Sequence, residues 1–307
     1  MTEPAYAAVD WGTSSFRLWL MATNDDVLDE RRSGEGMTTA AKLGFAETLE
    51  GHLRAIGAPQ DLPVIVCGMA GARQGWVEAG YIDVPAPLSA VLSGAIRVPG
   101  TQRDVRILPG LAQRQPDAPD VMRGEETQLL GALRAGSSGT QLVCMPGTHS
   151  KWVTVADGIV SGFATFMTGE FFELLSKQSV LTHSLNNASV FEADCPAYIR
   201  AIQAVFAAPQ SASSLLFTVR SGTLLHNLSA TDAAARLSGT LIGLEIAGAI
   251  ASHQDRQQVR LVASGRLKEL YEAAFSCLRL PYNTIDADKA VRQGLSAAAH
   301  TIMKISG

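Results

Sequence analysis

The chain has 307 residues, with 25 Lys and Arg against 29 Asp and Glu for a net charge of −4; 47% of its residues are hydrophobic and 18% charged. That length suggests two domains, and that balance excludes disorder as the main state, while 28 Gly and 13 Pro are ordinary usage that excludes collagen-like and low-complexity chains. With Arg31-Arg32 as the longest basic run, no phosphate-tracking surface for nucleic acid is expected, and the partner should be a small molecule.

The stretch Met1 to Asp10 carries Glu3 and Asp10 and lacks the basic start of a signal peptide, so the protein is expected in the cytosol. Ala5 to Asp10 is a short apolar run closed by a carboxylate. Trp11-Gly-Thr-Ser-Ser15 reads as a turn and Phe16 to Met21 as a strand; after the turn Asn24-Asp25-Asp26, Val27 to Arg31 reads as a third. Pro63 to Cys67 is a buried-strand pattern running into Gly68-Met-Ala-Gly71, and Arg106 to Leu111 a short strand ending in a turn. Glu125 to Arg134, with Leu129, Leu130 and Leu133 at helical spacing, reads as a helix entered at Arg123-Gly124.

The opening layout then recurs. Gln141 to Met145 is apolar, Pro146-Gly-Thr-His-Ser150 a turn, and Lys151 to Ala156 an alternating strand. Asp157-Gly158 is a two-residue hairpin turn leading into the strand Ile159 to Phe166. Gly12-Thr13-x-Ser15 and Gly147-Thr148-x-Ser150 superimpose position for position, so two half-chains, each opening on a hairpin around Gly-Thr, is the simplest architecture. Thr168 to Leu175 and Pro196 to Ala207 read as helices, and Ala233 to Ala251 as a long apolar core helix with Gly239, Gly243 and Gly248. Its most apolar stretch, Gly239 to Ala251, contains Glu245 and is shorter than the roughly 18 residues that span a bilayer, so no membrane segment is expected. Val259 to Ala263 reads as a strand, Ser264-Gly265 as a turn, Leu267 to Phe275 as a helix, and Asp288 to Ile305 as the last helix. Sheet followed by helices in each half is an α/β pattern.

Several chemistries are excluded by spelling. None of the six lysines follows a glycine, so there is no Walker A loop, and there is neither a GxSxG elbow nor an HExxH pair. The four cysteines are too widely spaced for a metal site and read as buried thiols. What remains is the pair of Gly-Thr turns. Such a turn offers successive backbone N–H groups and hydroxyls, with no Cβ at the glycine to obstruct an approaching oxyanion, and so suits phosphate. Two facing turns would hold the β- and γ-phosphates of a nucleotide, and Asp10, at the end of the first strand, would hold Mg²⁺ directly or through water.

Asp10-Trp-Gly-Thr-Ser-Ser15 resembles the first phosphate motif of the sugar kinase, heat-shock ATPase and actin superfamily, with Gly147-Thr148 where its second would fall and Val259 to Gly265 similar to its adenosine motif. Val121-Met-Arg-Gly-Glu-Glu-Thr-Gln-Leu-Leu-Gly131, Met145-Pro-Gly-Thr-His-Ser-Lys-Trp-Val153, Met167-Thr-Gly-Glu170 and Ser238-Gly-Thr-Leu-Ile-Gly243 are similar to the 2-dehydro-3-deoxygalactonokinase family. The resemblance implies an α/β protein of two duplicated ribonuclease H-like, actin-like ATPase domains, expected at 1–122 and 123–307 with the last helix packing back on the first. It implies ATP-dependent phosphorylation of 2-dehydro-3-deoxy-D-galactonate at its 6-hydroxyl, with the domains closing around ATP, Mg²⁺ and the sugar acid. Another sugar-acid or pantothenate-type kinase, or a non-catalytic actin-like nucleotide switch, is the alternative.

On this resemblance Gly12, Thr13, Ser14, Gly147 and Thr148 hold phosphates, and Ser264-Gly265 approaches the adenosine, although Arg266 stands where the superfamily often has a second glycine. Glu125, at the head of the connecting helix where related kinases place Gly-Asp, is the expected base, with Glu126 beside it as the alternative. The substrate carboxylate calls for a cation; Arg17, Arg123, Lys151 and Arg220 lie in family-like segments, with Arg73 and His149 as weaker choices. A homodimer is the expected assembly for a metabolic enzyme.

Overall fold

In the computed structural model, which describes residues 3–133, 139–251 and 258–305, the N-terminal apolar run becomes a strand buried on both faces. β1 (Pro4–Trp11) is followed by β2 (Phe16–Ala22), β3 (Val27–Ser33), α1 (Met37–Leu43), α2 (Phe45–Ala55) and β4 (Val64–Gly68). Next come β5 (Tyr81–Asp83), β6 (Ala86–Pro87), α3 (Ala90–Ser93), β7 (Ile96–Arg97), β8 (Val105–Ile107), β9 (Gly110–Gln113), β10 (Asp120–Met122) and α4 (Glu125–Ala132). The first sheet runs β3-β2-β1-β4-β8-β7. β1 is antiparallel to β2 and parallel to β4, which is itself parallel to β8. Central position explains composition: Tyr6 to Val9 and Val64 to Cys67 are wholly buried, whereas β3, next to only one strand, carries Asp29, Glu30, Arg31 and Arg32. A small sheet of β10-β9-β5 is separate. The single strand expected over Arg106 to Leu111 is in fact β8 and β9, in different sheets, because Pro109 between them has no N–H to continue a ladder.

The second hairpin is β11 (Thr140–Met145), β12 (Ser150–Ala156) and β13 (Ile159–Phe166). After it come α5 (Thr168–Gln178), α6 (Thr182–Leu185), α7 (Pro196–Ala207), α8 (Ala212–His226), α9 (Ala230–Ala251), β14 (Val259–Val262), α10 (Gly265–Cys277), β15 (Tyr282–Ile285) and α11 (Ala287–Met303). The order β15-β14-β11-β12-β13 repeats β8-β4-β1-β2-β3 strand for strand, again with parallel pairing of β11 to β14 and β14 to β15. The fold is thus a duplicated α/β architecture with mixed sheets, as the two Gly-Thr hairpins suggest. Arg134, the expected end of the connecting helix, lies outside the described residues.

Two compact units result: Met1–Thr140 with Val155–Gly162 and Asp286–Gly307, and Gln141–Thr154 with Phe163–Ile285. The connecting helix α4 and the last helix α11 both belong to the first unit, where they pack together. The first unit's core is built on Trp11, Phe16, Leu18, Leu49, Leu53, Val64 and Ile107. The second unit's core is built on Trp152, Tyr198, Ile242, Ile246, Leu261, Tyr271 and Phe275. By length and composition α9 could cross a membrane, more than its Gly239 to Ala251 stretch suggests, but 78% of its most apolar window is buried. Its glycines serve α7: a Cβ on Gly239 would come within 2.5 Å of the Tyr198 carbonyl oxygen, and one on Gly243 within 2.6 Å of Val205.

Candidate functional site

In the first unit, chemistry converges on Gly68. Asp10, at the end of β1, stands in register with Arg17 of β2 and Cys67 of β4. Gly68 has φ +90° and Gly124 φ +104°, both left-handed conformations that suit glycine. A Cβ on Gly68 would lie 2.6 Å from the Trp11 carbonyl oxygen and 3.4 Å from Asp10 Oδ1, and one on Gly124 would lie 3.5 Å from the Gly68 Cα. These two glycines let the head of α4, with Glu125 and Glu126, approach the β1 end that carries Asp10.

The two glutamates differ sharply. Glu126 is fully buried; its Oε2 accepts from the Gly124 N–H at 2.6 Å and its Oε1 from the Thr127 hydroxyl at 2.8 Å. Burial, with the Glu125 charge second, pushes its carboxyl up to about 7. Glu125 is partly exposed, and its Oε2 accepts from the Arg123 N–H at 3.0 Å.

The turn after β1 is seated by its own backbone and by the start of α1. Gly12 N–H donates to the Ser15 carbonyl at 2.9 Å, and Met37 and Thr38 N–H donate to the Gly12 and Thr13 carbonyls. Gly36 permits this seat, since a Cβ there would come within 2.5 Å of the Ser15 nitrogen. Thr13, Ser14 and Ser15 are left exposed. Arg17, expected to meet substrate, is clamped instead: Nη2 pairs with Asp10 Oδ2 and Nη1 with Asp288 Oδ1. Burial alone would raise the Asp288 carboxyl, but Arg32 and Arg17 hold it below the ordinary range. Asp288 was invisible as a partner because 271 residues separate it from Arg17.

Arg123 is the contrasting cation. Its guanidinium lies 4.4 Å over the Tyr81 ring and Nη2 donates to the Ala79 carbonyl at 2.7 Å. Its Nε and Nη1 are buried with no hydrogen-bond partner among the described residues.

In the second unit a cavity of about 560 Å³ is lined by Gly147 of the β11–β12 turn, Thr168 and Phe172 of α5, Phe191, Leu241 of α9, and Arg266 at the start of α10, with other residues. Its wall is mostly apolar, as suits a planar base, with few polar groups to fix orientation. Ser264 is the N-cap of α10 and Gly265 its first residue at φ +58°, so the expected turn is the first step of the helix. Arg266 lies 5.0 Å over the Phe191 ring and pairs with Glu269 at 2.8 Å. Thr148 and His149 are exposed, and His149 Nε2 meets Glu170 Oε2 at 2.5 Å. Lys151 is only 5% exposed within β12, and Arg220 lies on α8 outside the cavity lining. Thr168, Gly169, Ser238, Leu241 and Ile242 of the lining fall in the family-like strings, whereas Phe172, Leu185 and Phe191 lie in no motif, so sequence reasoning missed them.

The family model for 2-keto-3-deoxy-galactonokinase matches residues 10–298. A protein of Rhizobium meliloti (strain 1021) named probable 2-dehydro-3-deoxygalactonokinase DgoK1 is 57% identical over 301 residues, covering 98% of each chain. The 2-dehydro-3-deoxygalactonokinase of Escherichia coli (strain K12) is 33% identical, over 97% of this chain and 98% of its own. A crystal structure from Sinorhizobium meliloti described under the same enzyme name superposes with a TM-score of 0.93 at 57% identity, over 97% of this chain and 99% of that one. The ADPNP-bound activator of the 2-hydroxyisocaproyl-CoA dehydratase from Clostridium difficile, at 14% identity and a TM-score of 0.50 over 98% and 95% of the chains, shares the fold alone.

Proposed function

The chain belongs to the 2-keto-3-deoxy-galactonokinase family, and from that membership we propose that it transfers the γ-phosphoryl group of ATP to the 6-hydroxyl of 2-dehydro-3-deoxy-D-galactonate. The observation that carries this reading is 57% identity across 98% of both chains to a kinase of that name. The repeated five-strand order with a Gly-Thr turn in each copy is consistent with ATP as donor.

Phosphoryl transfer asks a protein for positioning and charge neutralisation more than for covalent chemistry. Glu125 is our candidate to accept the proton of the attacking hydroxyl. It is favoured over Glu126, whose two oxygens are taken up inside the first turn of α4. Thr13, Ser14 and Thr148 would hold phosphate oxygens by backbone N–H and hydroxyl groups, while Gly12 and Gly147, whose own N–H groups bond to Ser15 and Ser150 inside their turns, would leave room for the approaching oxyanion. The apolar cavity, with Ser264 and Gly265 at the α10 start, would take the adenosine.

Asp10 fits Mg²⁺ by donor chemistry: its Oδ2 serves Arg17 while Oδ1 faces Gly68, and Mg²⁺ commonly takes one or two carboxylates along with water and substrate phosphate. When bound there, the ion would neutralise charge on the nucleotide phosphates. Arg123, whose buried Nε and Nη1 have no hydrogen-bond partner among the described residues, is favoured for the substrate carboxylate over Arg17, which two carboxylates already neutralise. Lys151 and Arg220 are the less favoured choices. A cytosolic site of action fits a kinase that draws on dissolved ATP and sugar acid, and a homodimer is the expected assembly.

The test is ADP release in a coupled assay against a panel of 2-keto-3-deoxy sugar acids and pantothenate. Turnover that requires the galactonate derivative is expected. Release indifferent to any acceptor, or driven by pantothenate, would overturn the reading.

A further inference from the structure

Glu245 is the buried carboxylate of the apolar helix α9, and the proposed chemistry does not use it. It is 1% exposed, a costly place for a charge unless hydrogen bonds answer it. They come from three different elements. Oε1 accepts from Trp152 Nε1 of β12 at 2.8 Å; Oε2 accepts from the Tyr271 hydroxyl of α10 at 2.7 Å and from the Thr168 hydroxyl at the start of α5.

Two of these links reach the second Gly-Thr turn. Tyr271 gives its only proton to Glu245, so at 3.3 Å the Ser150 hydroxyl is left to donate to the Tyr271 oxygen. The Gly147 N–H in turn donates to Ser150 Oγ at 3.4 Å. A chain of donors thus runs from the turn inward to the carboxylate, tying down the Gly147 N–H and leaving Thr148 and His149 on the exposed face. Through Thr168, Glu245 also fixes the start of α5 beneath the turn. There Gly169 packs so closely that a Cβ would lie 2.6 Å from the Gly147 carbonyl oxygen, and the Glu170 N–H donates to the Thr148 carbonyl at 3.1 Å. Gly147, Thr168 and Tyr271 all line the 560 Å³ cavity.

We propose that Glu245 is the positioning residue of the nucleotide site: it gathers the second Gly-Thr turn, the α5 start and α10 into one wall and so governs nucleotide affinity without touching the nucleotide. The inference rests on the reading that this cavity and turn take ATP. A carboxylate is required because only an acceptor-only group answers three donors at once; an amide would turn an N–H toward one of them.

The experiment is calorimetric titration of ADP into wild-type protein, Glu245→Gln and Tyr271→Phe, with melting temperatures and the KM values for ATP and sugar acid measured alongside. Expected are a Kd for ADP weakened at least tenfold in Glu245→Gln, a severalfold weakening in Tyr271→Phe, and a sugar-acid KM within twofold of wild type. A folded Glu245→Gln that binds ADP as wild type does, or loses ADP and sugar-acid affinity alike, overturns the proposal; a purely structural role would lower the melting temperature and leave Kd unmoved. If Glu245→Gln does not fold, Tyr271→Phe decides, since it keeps the carboxylate with its Trp152 and Thr168 donors and removes the hydroxyl that links it to Ser150. Wild-type protein that fails to bind ADP would instead sink the nucleotide reading, and the proposal with it.

Discussion

At the head of α4 two adjacent carboxylates differ in exposure and in the N–H groups they accept from, and their variants should fail differently. Glu125→Gln is expected to lower kcat by roughly 10²–10⁴ with the melting temperature unchanged, as loss of a general base does; near-normal turnover would remove it from that role. Glu126 should act on stability. Its carboxyl rises from an ordinary 4.5 to about 7 in the folded protein, first through burial, so between those values the native state keeps a proton that the unfolded chain has released. Its contribution is therefore full below the ordinary value and is lost as pH rises through 7. Glu126→Gln cannot ionise and should flatten that decline, so urea midpoints at pH 5 and pH 8 should differ less in the variant than in wild type. Equal differences in the two proteins would refute the assignment. Sequence alone leaves the two residues equivalent, because the choice turns on which side chain folds back onto the Gly124 N–H.

At the scale of elements, α4 and α11 meet backbone to backbone through a pair of glycines. A Cβ on Gly294 would run into the Thr127 carbonyl oxygen and one on Gly131 into that of Ala290, and both obstacles are backbone that no rotamer change can move. Gly294→Ala should therefore cost roughly 1–3 kcal/mol or more by overpacking and, by displacing α4, lower kcat as well. An unchanged melting temperature would show that the helices can part without loss. Both long hairpins were legible in the sequence because turn residues punctuate apolar runs, as at Asp157-Gly158. α1 and α2 were not, since Gly44 interrupts the helical pattern between them. α8 was missed for a related reason: Ser213, Ser214, Thr218, Ser221, Gly222 and Thr223 are poor helix formers, and the helix is held by packing on α9. β15, with four residues, is too short to show a period.

Across the whole molecule, the two Gly-Thr strings announced a duplication that the strand orders repeat, but membership of each unit is set by packing and was hidden from composition. α11 follows residues of the second unit yet covers β1, β4 and α4 of the first, burying Ala290, Val291, Leu295, Ala298 and Ala299. A division into contiguous halves would assign it to the other body. Leu295→Ala separates these descriptions. Truncating a fully buried leucine costs about 2–5 kcal/mol, and that loss should be felt wherever the side chain's cooperative unit extends. Followed by hydrogen exchange with mass spectrometry, amides of β1, β4 and α4 should exchange faster, although most of the chain separates them from residue 295. Those of β14 and the middle of α9, much nearer in sequence, should keep wild-type protection. Faster exchange in β14 and α9 with β1 and β4 unchanged would mean that the last helix stabilises the second unit, and that the close packing of Gly294 against Thr127 contributes little to what holds the first one together.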